Sequence, residues 1–316
     1  MLNVKPHTAI LLATYNGEKF LERQLDSLFA QTDRDWVIYA HDDGSSDGTV
    51  DILRKYQSEY PDEIVILDGA PTGSARDNFF YLMENAEADC YFFCDQDDIW
   101  EQDKIEIFRR KMYEAEAEHG GGNKAEDETP CLVFSDVSLI DESDNLIVDR
   151  MSTYQTLDMA RMSFNELMLQ NIVTGCAMMA NRALVEKALQ CVERRDIIMH
   201  DYWLALVAAY FGRISYIDAA MVKYRQHEAN ALGATRVLSA AYFKEKFQSA
   251  RRSLIERQNQ MKAFVEAYNL TYADAPEAVI MSRLFELPKG QRINFYKSCG
   301  GGKSGFLRKL GLYLFG

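Results

Sequence analysis

Cys90-Tyr91-Phe92-Phe93-Cys94 is an almost wholly apolar run that stops at Asp95-Gln96-Asp97-Asp98, before apolar character returns at Ile99-Trp100. A short run with no polar alternation suits a strand buried on both faces, as in a parallel sheet covered by helices. Three carboxylates within four residues at the end of such a strand repel one another unless a cation neutralises them. Oxygen ligands of this kind suit Mg²⁺ or Mn²⁺, which in turn bind diphosphates. The ordinary alternative is a solvated acidic turn. The apolar residues that frame this one on both sides argue against it.

The segments before this run alternate in period. Thr8-Ala9-Ile10-Leu11-Leu12-Ala13 reads as a strand that enters a turn at Thr14-Tyr15-Asn16-Gly17. Phe20, Leu21, Leu25, Leu28 and Phe29 then fall at helical spacing. Trp36 to Ala40 is a second strand, closed by His41-Asp42-Asp43-Gly44-Ser45-Ser46-Asp47-Gly48-Thr49, and a helix follows on Val50, Ile52, Leu53 and Tyr56. Ile64 to Leu67 is a third strand, and 78–85 reads as helix. Strands alternating with helices give an α/β fold with a mostly parallel sheet, whose ligands lie at the carboxyl ends of the strands. Every polar cluster named so far lies at such an end.

Beyond Glu114 the chain turns acidic and glycine-bearing as far as Pro130, which predicts a solvated loop. Strand character returns at Cys131 to Phe134, with a hairpin-like turn at Asp141-Glu142-Ser143-Asp144-Asn145. Tyr202 to Phe211 predicts a buried helix and Ile214 to Ile217 a strand. From about Thr235 the sequence reads as helical, with Phe243, Phe247, Leu254, Met261, Phe264 and Tyr268 along one stripe.

The balance of 47% apolar and 26% charged residues over 316 positions is that of a globular chain and excludes wholesale disorder. No run is long and apolar enough to span a bilayer as a helix. The first apolar run lasts only from Ala9 to Thr14, too short for a signal peptide, so a cytoplasmic chain is expected. The six cysteines include no C-x-x-C pair and read as buried or incidental thiols. The net charge is −13, yet no acid follows Glu286, while Lys289, Arg292, Lys297, Lys303, Arg308 and Lys309 do; residues 1–286 therefore carry −19. So acidic a body excludes a nucleic-acid groove, which needs clustered cations. The basic tail interleaves its cations with Phe306, Leu307, Leu310, Leu312, Tyr313, Leu314 and Phe315. That pattern suits either an anionic membrane surface or docking on the acidic body.

Two further clusters bear on chemistry. Asp42 and Asp43 exceed what one helix cap needs, and a carboxylate there can accept a hydrogen bond from a base imide or a ribose hydroxyl. His200-Asp201 precedes an aromatic, apolar helix; burial against Tyr202 and Trp203 would raise the Asp201 pKa towards that of a useful base, against the plainer reading of a helix cap. Two other patterns are rejected. Gly300-Gly301-Gly302-Lys303-Ser304 looks like the end of a phosphate-binding loop, but Lys297 stands where its first glycine is required. Met178-Met179, with Met162 and Met168 upstream, reads as core filler.

Ala13-Thr14-Tyr15-Asn16-Gly17, Asp42 to Thr49 and Asp95-Gln96-Asp97-Asp98, in this order and at these separations, resemble family-two glycosyltransferases. Leu132 to Asp136, Asn171 to Cys176, Met199 to Trp203 and Tyr224-Arg225-Gln226-His227 resemble the bacterial rhamnosyltransferase-like branch of that family. The resemblance covers roughly residues 7–230. It implies the GT-A fold and a nucleotide-diphosphate sugar donor. It divides the chain into a transferase domain at 1–230, with a nucleotide-sugar half at 1–115 and an acceptor half at 131–230, and a helical extension at 231–316.

By position, the resemblance gives Tyr15 and Asp43 to the base, with Asp42 beside them and Ala13 contributing backbone contacts. Gly73, Arg76 and Asn78 flank the nucleotide, Asp95 and Gln96 lie by the donor, and Asp95 contacts ribose or metal. Asp97 ligates Mg²⁺ or Mn²⁺, His227 completes the metal shell, and Asp201 is the catalytic base of an inverting transfer. The Q-x-x-R-W motif of processive synthases is missing at Gln226 to Asn230. The expectation is transfer of one sugar, L-rhamnose from its dTDP form, to a cell-surface glycan or lipid-linked acceptor, with the tail on the inner membrane face. The alternatives are a UDP-hexose or UDP-N-acetylhexosamine donor, or a binding protein without catalysis.

Overall fold

The computed structural model describes residues 7–117, 129–227 and 240–315. The first half lays down β1 (Thr8–Thr14), α1 (Leu21–Phe29), β2 (Trp36–Asp42), α2 (Thr49–Glu59), β3 (Ile64–Ile66), α3 (Ala75–Asn85), β4 (Cys90–Asp95), β5 (Ile99–Trp100) and α4 (Lys104–Ala117). The second half adds β6 (Cys131–Ile140), β7 (Leu146–Val148), α5 (Met151–Tyr154), α6 (Phe164–Leu167), β8 (Met178–Asn181), α7 (Arg182–Ala188), α8 (His200–Phe211) and β9 (Arg213–Arg225). Four helices close the chain: α9 (Ala240–Ala267), α10 (Pro276–Ser282), α11 (Lys289–Ser298) and α12 (Phe306–Phe315).

One sheet runs in the order β3-β2-β1-β4-β8-β6-β9-β5, with β7 paired to β6. β1, β2, β3 and β4 are mutually parallel, as is β6 with β9, whereas β8 runs antiparallel to both β4 and β6. The parallel pairing of the expected mostly parallel sheet lies in its first half and in the β6–β9 pair. The strand order reverses between β1 and β4, and an open α/β sheet leaves its ligand crevice outside the strand ends at such a point.

Period-two alternation builds a core on each face. In β1, Ala9 and Leu11 join one core while Ile10 and Leu12 join the other; in β4, Tyr91 and Phe93 oppose Phe92 and Cys94. Both faces of β4 are buried, as its composition requires. On the first face, Trp203 of α8 meets Phe264 of α9 edge-on at 5.5 Å. This fixes the helix that carries Asp201. Leu254, Met261 and Phe264 are buried as the stripe predicted; Phe243 and Phe247 lie outside the residues whose side chains are described.

The loop expected from Glu114 starts later. Helix α4 runs on to Ala117 because Ala115 still faces the core, and 118–128 lie outside the described residues. All six cysteines are buried and unpaired with one another. Met178 and Met179 are core strand residues. The glycine run at 300–302 has positive φ throughout, a path that non-glycine residues rarely take. Ser304 beyond it is pinned between Asp158 and Gln170, so this segment is a structural connection. The basic tail docks on the body. Leu312 is buried, Arg308 donates to the Gln155 carbonyl at 2.6 Å and the Tyr313 hydroxyl to the Gly301 carbonyl at 3.2 Å. The side chains of Phe306, Leu307, Leu310, Leu314 and Phe315 lie outside those described.

Candidate active site

The loops after β1 and β2 are tied into one platform. Thr14 Oγ1 and Ser45 Oγ donate to Asp42 Oδ1 at 2.8 and 2.6 Å, and the Gly44 and Ser45 N–H groups donate to Oδ2. Asn16, in left-handed backbone conformation, accepts from the Ser46 N–H, and Gly17 N–H donates to Thr49 Oγ1. Asp42 therefore spends its carboxylate on the loop itself. Asp43 reaches the other way, to Thr72 and the Gly73 N–H, and so fixes the loop after β3. Tyr15 stands out from this platform with 58% of its surface exposed, the condition for stacking on a base. Gln96 joins the platform to the acidic turn by two 2.8 Å bonds to the Tyr15 backbone, one given and one received.

Two residues expected at the nucleotide are engaged elsewhere. Arg76 clasps Asp77 and donates to the Arg195 and Ile197 carbonyls, bracing the segment that leads into α8. Asn78 is buried and bonded to the His41 ring at 2.8 Å and to its carbonyl at 3.2 Å. Both shape the crevice from behind. Ala13, one residue before the end of β1, is in register with Asp95.

The acidic turn behaves differently. Burial, then the charges of Asp97 and Asp201, push the Asp95 carboxyl up to about 7. Asp98 is fully buried and lifted well above the carboxylate range by burial and by its neighbours Asp97 and Asp95. Asp97 Oδ2 lies 2.6 Å from His227 Nε2, so residues 130 positions apart meet at the rim. Among the described residues, the side-chain ligand atoms that gather within 4.8 Å of one another here are those of Asp95, Asp98 and Cys176. Arg225, with no exposed surface, braces this turn from below. Its N–H donates to Asp98 at 3.0 Å and its Nε to the Asp97 carbonyl at 2.7 Å, and its guanidinium lies 4.6 Å from the Phe20 ring.

Asp201 opens α8 and is only partly exposed. Burial pushes its carboxyl up to about 7, against hydrogen bonds from the Tyr202 N–H, the Asn171 side chain and the Gly175 N–H. His200 is held between the Phe79 and Phe93 rings, and burial drives its pKa down to about 3, so it packs as a neutral ring. A Cβ at Gly175 would stand 2.9 Å from His200 Nε2; glycine lets the turn close over the start of α8. Asp201 lies near enough to Asp95 for its charge to raise that carboxyl further.

The pattern of glycosyl transferase family 2 matches residues 9–187. The chain belongs to that family. This glycosyltransferase is 31% identical to the dTDP-rhamnosyl transferase RfbG of Shigella flexneri, over 73% of its own length and 76% of that protein's. It is 25% identical to an uncharacterized glycosyltransferase of Nostoc, over 80% and 73% of the two chains. Among solved structures, S. aureus TarS in complex with UDP-GlcNAc superposes with a TM-score of 0.53 at 15% identity, covering 94% of the transferase and 80% of that chain. The mannosyltransferase PcManGT of Pyrobaculum calidifontis, solved with GDP-Man and Mn²⁺, gives 0.52 at 14% identity over 94% and 74%. These two likenesses establish the GT-A fold.

Sequence reasoning gave Lys104, Asn171, Gly175 and Arg225 no individual role. For Lys104 a signal existed: it lies on the same helical stripe as Phe108 and Met112, where a lysine must be buried. Arg225 carried no such mark, because the strand that buries it gives no sign of what lies beneath.

Proposed function

We propose that the chain is an inverting, metal-dependent glycosyltransferase that moves a single L-rhamnose from dTDP-rhamnose to a cell-surface glycan or lipid-linked acceptor. One observation carries this reading: the Asp97–His227 contact joins the turn after β4 to the segment after β9 beside the strand-order reversal, and Asp201, its carboxyl raised to about 7 by burial, is near enough for its charge to raise Asp95. The dTDP-rhamnose assignment is supported by the likeness to the Shigella enzyme.

In this reading Tyr15 stacks on the base, and Asp43 keeps the Thr72–Gly73 loop beside it. Asp97 and His227, with Asp95, would hold Mg²⁺ or Mn²⁺, which when bound supplies Lewis-acid stabilisation to a departing diphosphate. Asp201 accepts the proton of the acceptor hydroxyl as that oxygen attacks the anomeric carbon on the face opposite the leaving group. A carboxyl with a pKa of about 7 is ionised often enough to act near neutrality and basic enough to take the proton. The bonds from Asn171, Gly175 and Tyr202 keep its oxygens oriented.

A donor screen across dTDP-, UDP- and GDP-sugars, scored by nucleoside-diphosphate release with and without EDTA, tests this. Preference for dTDP-rhamnose and loss of turnover in EDTA are expected. Preference for a UDP-sugar would remove the rhamnose assignment, and no turnover of any matched donor and acceptor would favour a binding protein. The same reading takes the tail, with its exposed Lys309, to the inner membrane face. Sedimentation with phosphatidylglycerol vesicles at low salt, and release at high salt, are the expected results.

A further inference from the structure

Arg23 and Arg225 meet at Asp144, in the turn between β6 and β7. Arg23, half-exposed on α1, donates from Nη1 to Asp144 Oδ2 at 2.5 Å, while the fully buried Arg225 donates from Nη1 to Oδ1. Arg225 Nη1 also donates to the Asp141 carbonyl at 3.0 Å, and the Gln226 N–H to the Ile140 carbonyl at 2.9 Å. The turn thus grips the end of β9 through side chain and backbone together. From there Arg225 reaches the acidic turn, at the Asp97 carbonyl and Asp98. Phe20 lies against both ends of the segment, 4.6 Å from the guanidinium and 5.1 Å from the His227 ring. The β6–β7 turn carries its own support. Asp141 Oδ1 accepts from the Ser143 and Asn145 N–H groups at 2.8 and 2.9 Å, and Asp144 stands at φ +68°, where aspartate and asparagine are enriched.

We propose that Asp144 is a positioning residue for the rim: by fixing the Arg225 guanidinium, it holds the Asp97 backbone and the segment that carries His227 at one spacing. The Asp97–His227 contact is thereby made before a metal or donor arrives. Removing one partner of a buried ion pair strands the charge of the other. Arg225 without Asp144 would draw on the acidic turn that it already touches, and so pull on the rim. Arg23 adds little, because water screens its half-exposed pair. Asp144 acts through Arg225 and takes no part in the chemistry. The proposal rests on the reading of Asp97 and His227 as metal-holding residues.

Hydrogen exchange on the full chain in EDTA tests this without any metal. Asp144→Asn keeps a residue suited to positive φ and removes the charge. Exchange of the Arg225 and Gln226 amides should rise about tenfold or more, with the β1 and β4 amides unchanged. No change at 225–226 overturns the proposal, as does an equal rise in β1 and β4, which would make Asp144 a general support. Arg23→Met, which breaks only the half-exposed pair, should move neither amide by more than about twofold; a rise to match Asp144→Asn counts against Arg225 as the route. In an Arg225→Met background, the Tm loss caused by Asp144→Asn should fall below half of its value in the wild type, and equal losses overturn the pairing. If Asp144→Asn does not fold, folded D144N/R225M protein supports the pairing, and an unfolded double variant beside folded Arg225→Met overturns it. Mn²⁺ alone is the second probe. Its affinity should fall about tenfold in Asp144→Asn, while the rate at saturating Mn²⁺ stays within about threefold. Equal Mn²⁺ affinities overturn the positioning role. A wild type that neither binds Mn²⁺ nor loses turnover in EDTA defeats the metal reading, while exchange at 225–226 still judges Asp144.

Discussion

The two acidic clusters at the rim of the sheet have nearly the same composition and opposite electrostatics. After β2, Asp42 accepts four hydrogen bonds from Thr14, Gly44 and Ser45, and Asp47 is held low by bonds from Thr49 and Glu18 that outweigh its slight burial. After β4, Asp95 and Asp98 are buried beside each other and beside Asp97, and their carboxyls rise. Hydrogen bonds to a carboxylate favour its charged form, whereas burial and like charge disfavour it. An aspartate of the first kind is building material. One of the second kind is poised to take up a proton or a cation.

The contrast breaks most visibly at Asp201. Asp201→Asn should cut transfer on the order of 10²–10⁴-fold while leaving dTDP affinity within about twofold, measured by turnover and calorimetry. An unchanged rate would mean that the base lies elsewhere. Asp97→Ala should weaken Mn²⁺-dependent dTDP binding on the order of 100-fold, with EDTA reproducing the loss in the wild type. Binding that survives both would detach the acidic turn from the metal.

The raised carboxyls also set a pH dependence. Transfer should climb by up to about tenfold per pH unit until the Asp201 carboxyl ionises near 7, then level off. Stability moves oppositely. The folded protein holds this proton more tightly than the unfolded chain, so stability falls as pH rises from the ordinary carboxylate range to about 7. Asp201→Asn should flatten part of that fall and raise Tm at pH 8 by about 2–4 °C; melting curves from pH 5 to 8 follow it. Smallest of all, Asp42→Asn should cost about 1–3 kcal/mol of stability by setting amide hydrogens against the N–H donors of Gly44 and Ser45. Its effect on the rate at saturating donor should stay within about threefold; a collapse in rate would show that Asp42 also meets the substrate.

Much of this was legible in the chain. The apolar run at 90–94 and the alternation of periods up to it fixed the α/β class, because burial on both faces leaves a strand no polar position. Asp201 could be picked out because an acid before an aromatic helix has few ways to stay solvated. The bonding of Arg76 and Asn78 was not legible in the chain. Nothing local tells a guanidinium or an amide whether ligand or backbone will take its donors, and here backbone and neighbouring side chains took them.

The sequence by itself determined roughly where the strands of the first half end, which residues are too apolar to be exposed, and that acids crowd one rim; β6 and β9 run well past the 131–134 and 214–217 segments read from sequence. Those properties follow from spacing along the chain, and spacing is local. Tertiary structure alone decided that His227 meets Asp97 across 130 residues, that Arg225 donates to the Asp97–Asp98 turn, and that Lys104 is buried with its Nζ on the Cys176 carbonyl. A charge is worth little until its distance and its access to water are set, and only the packed fold sets both.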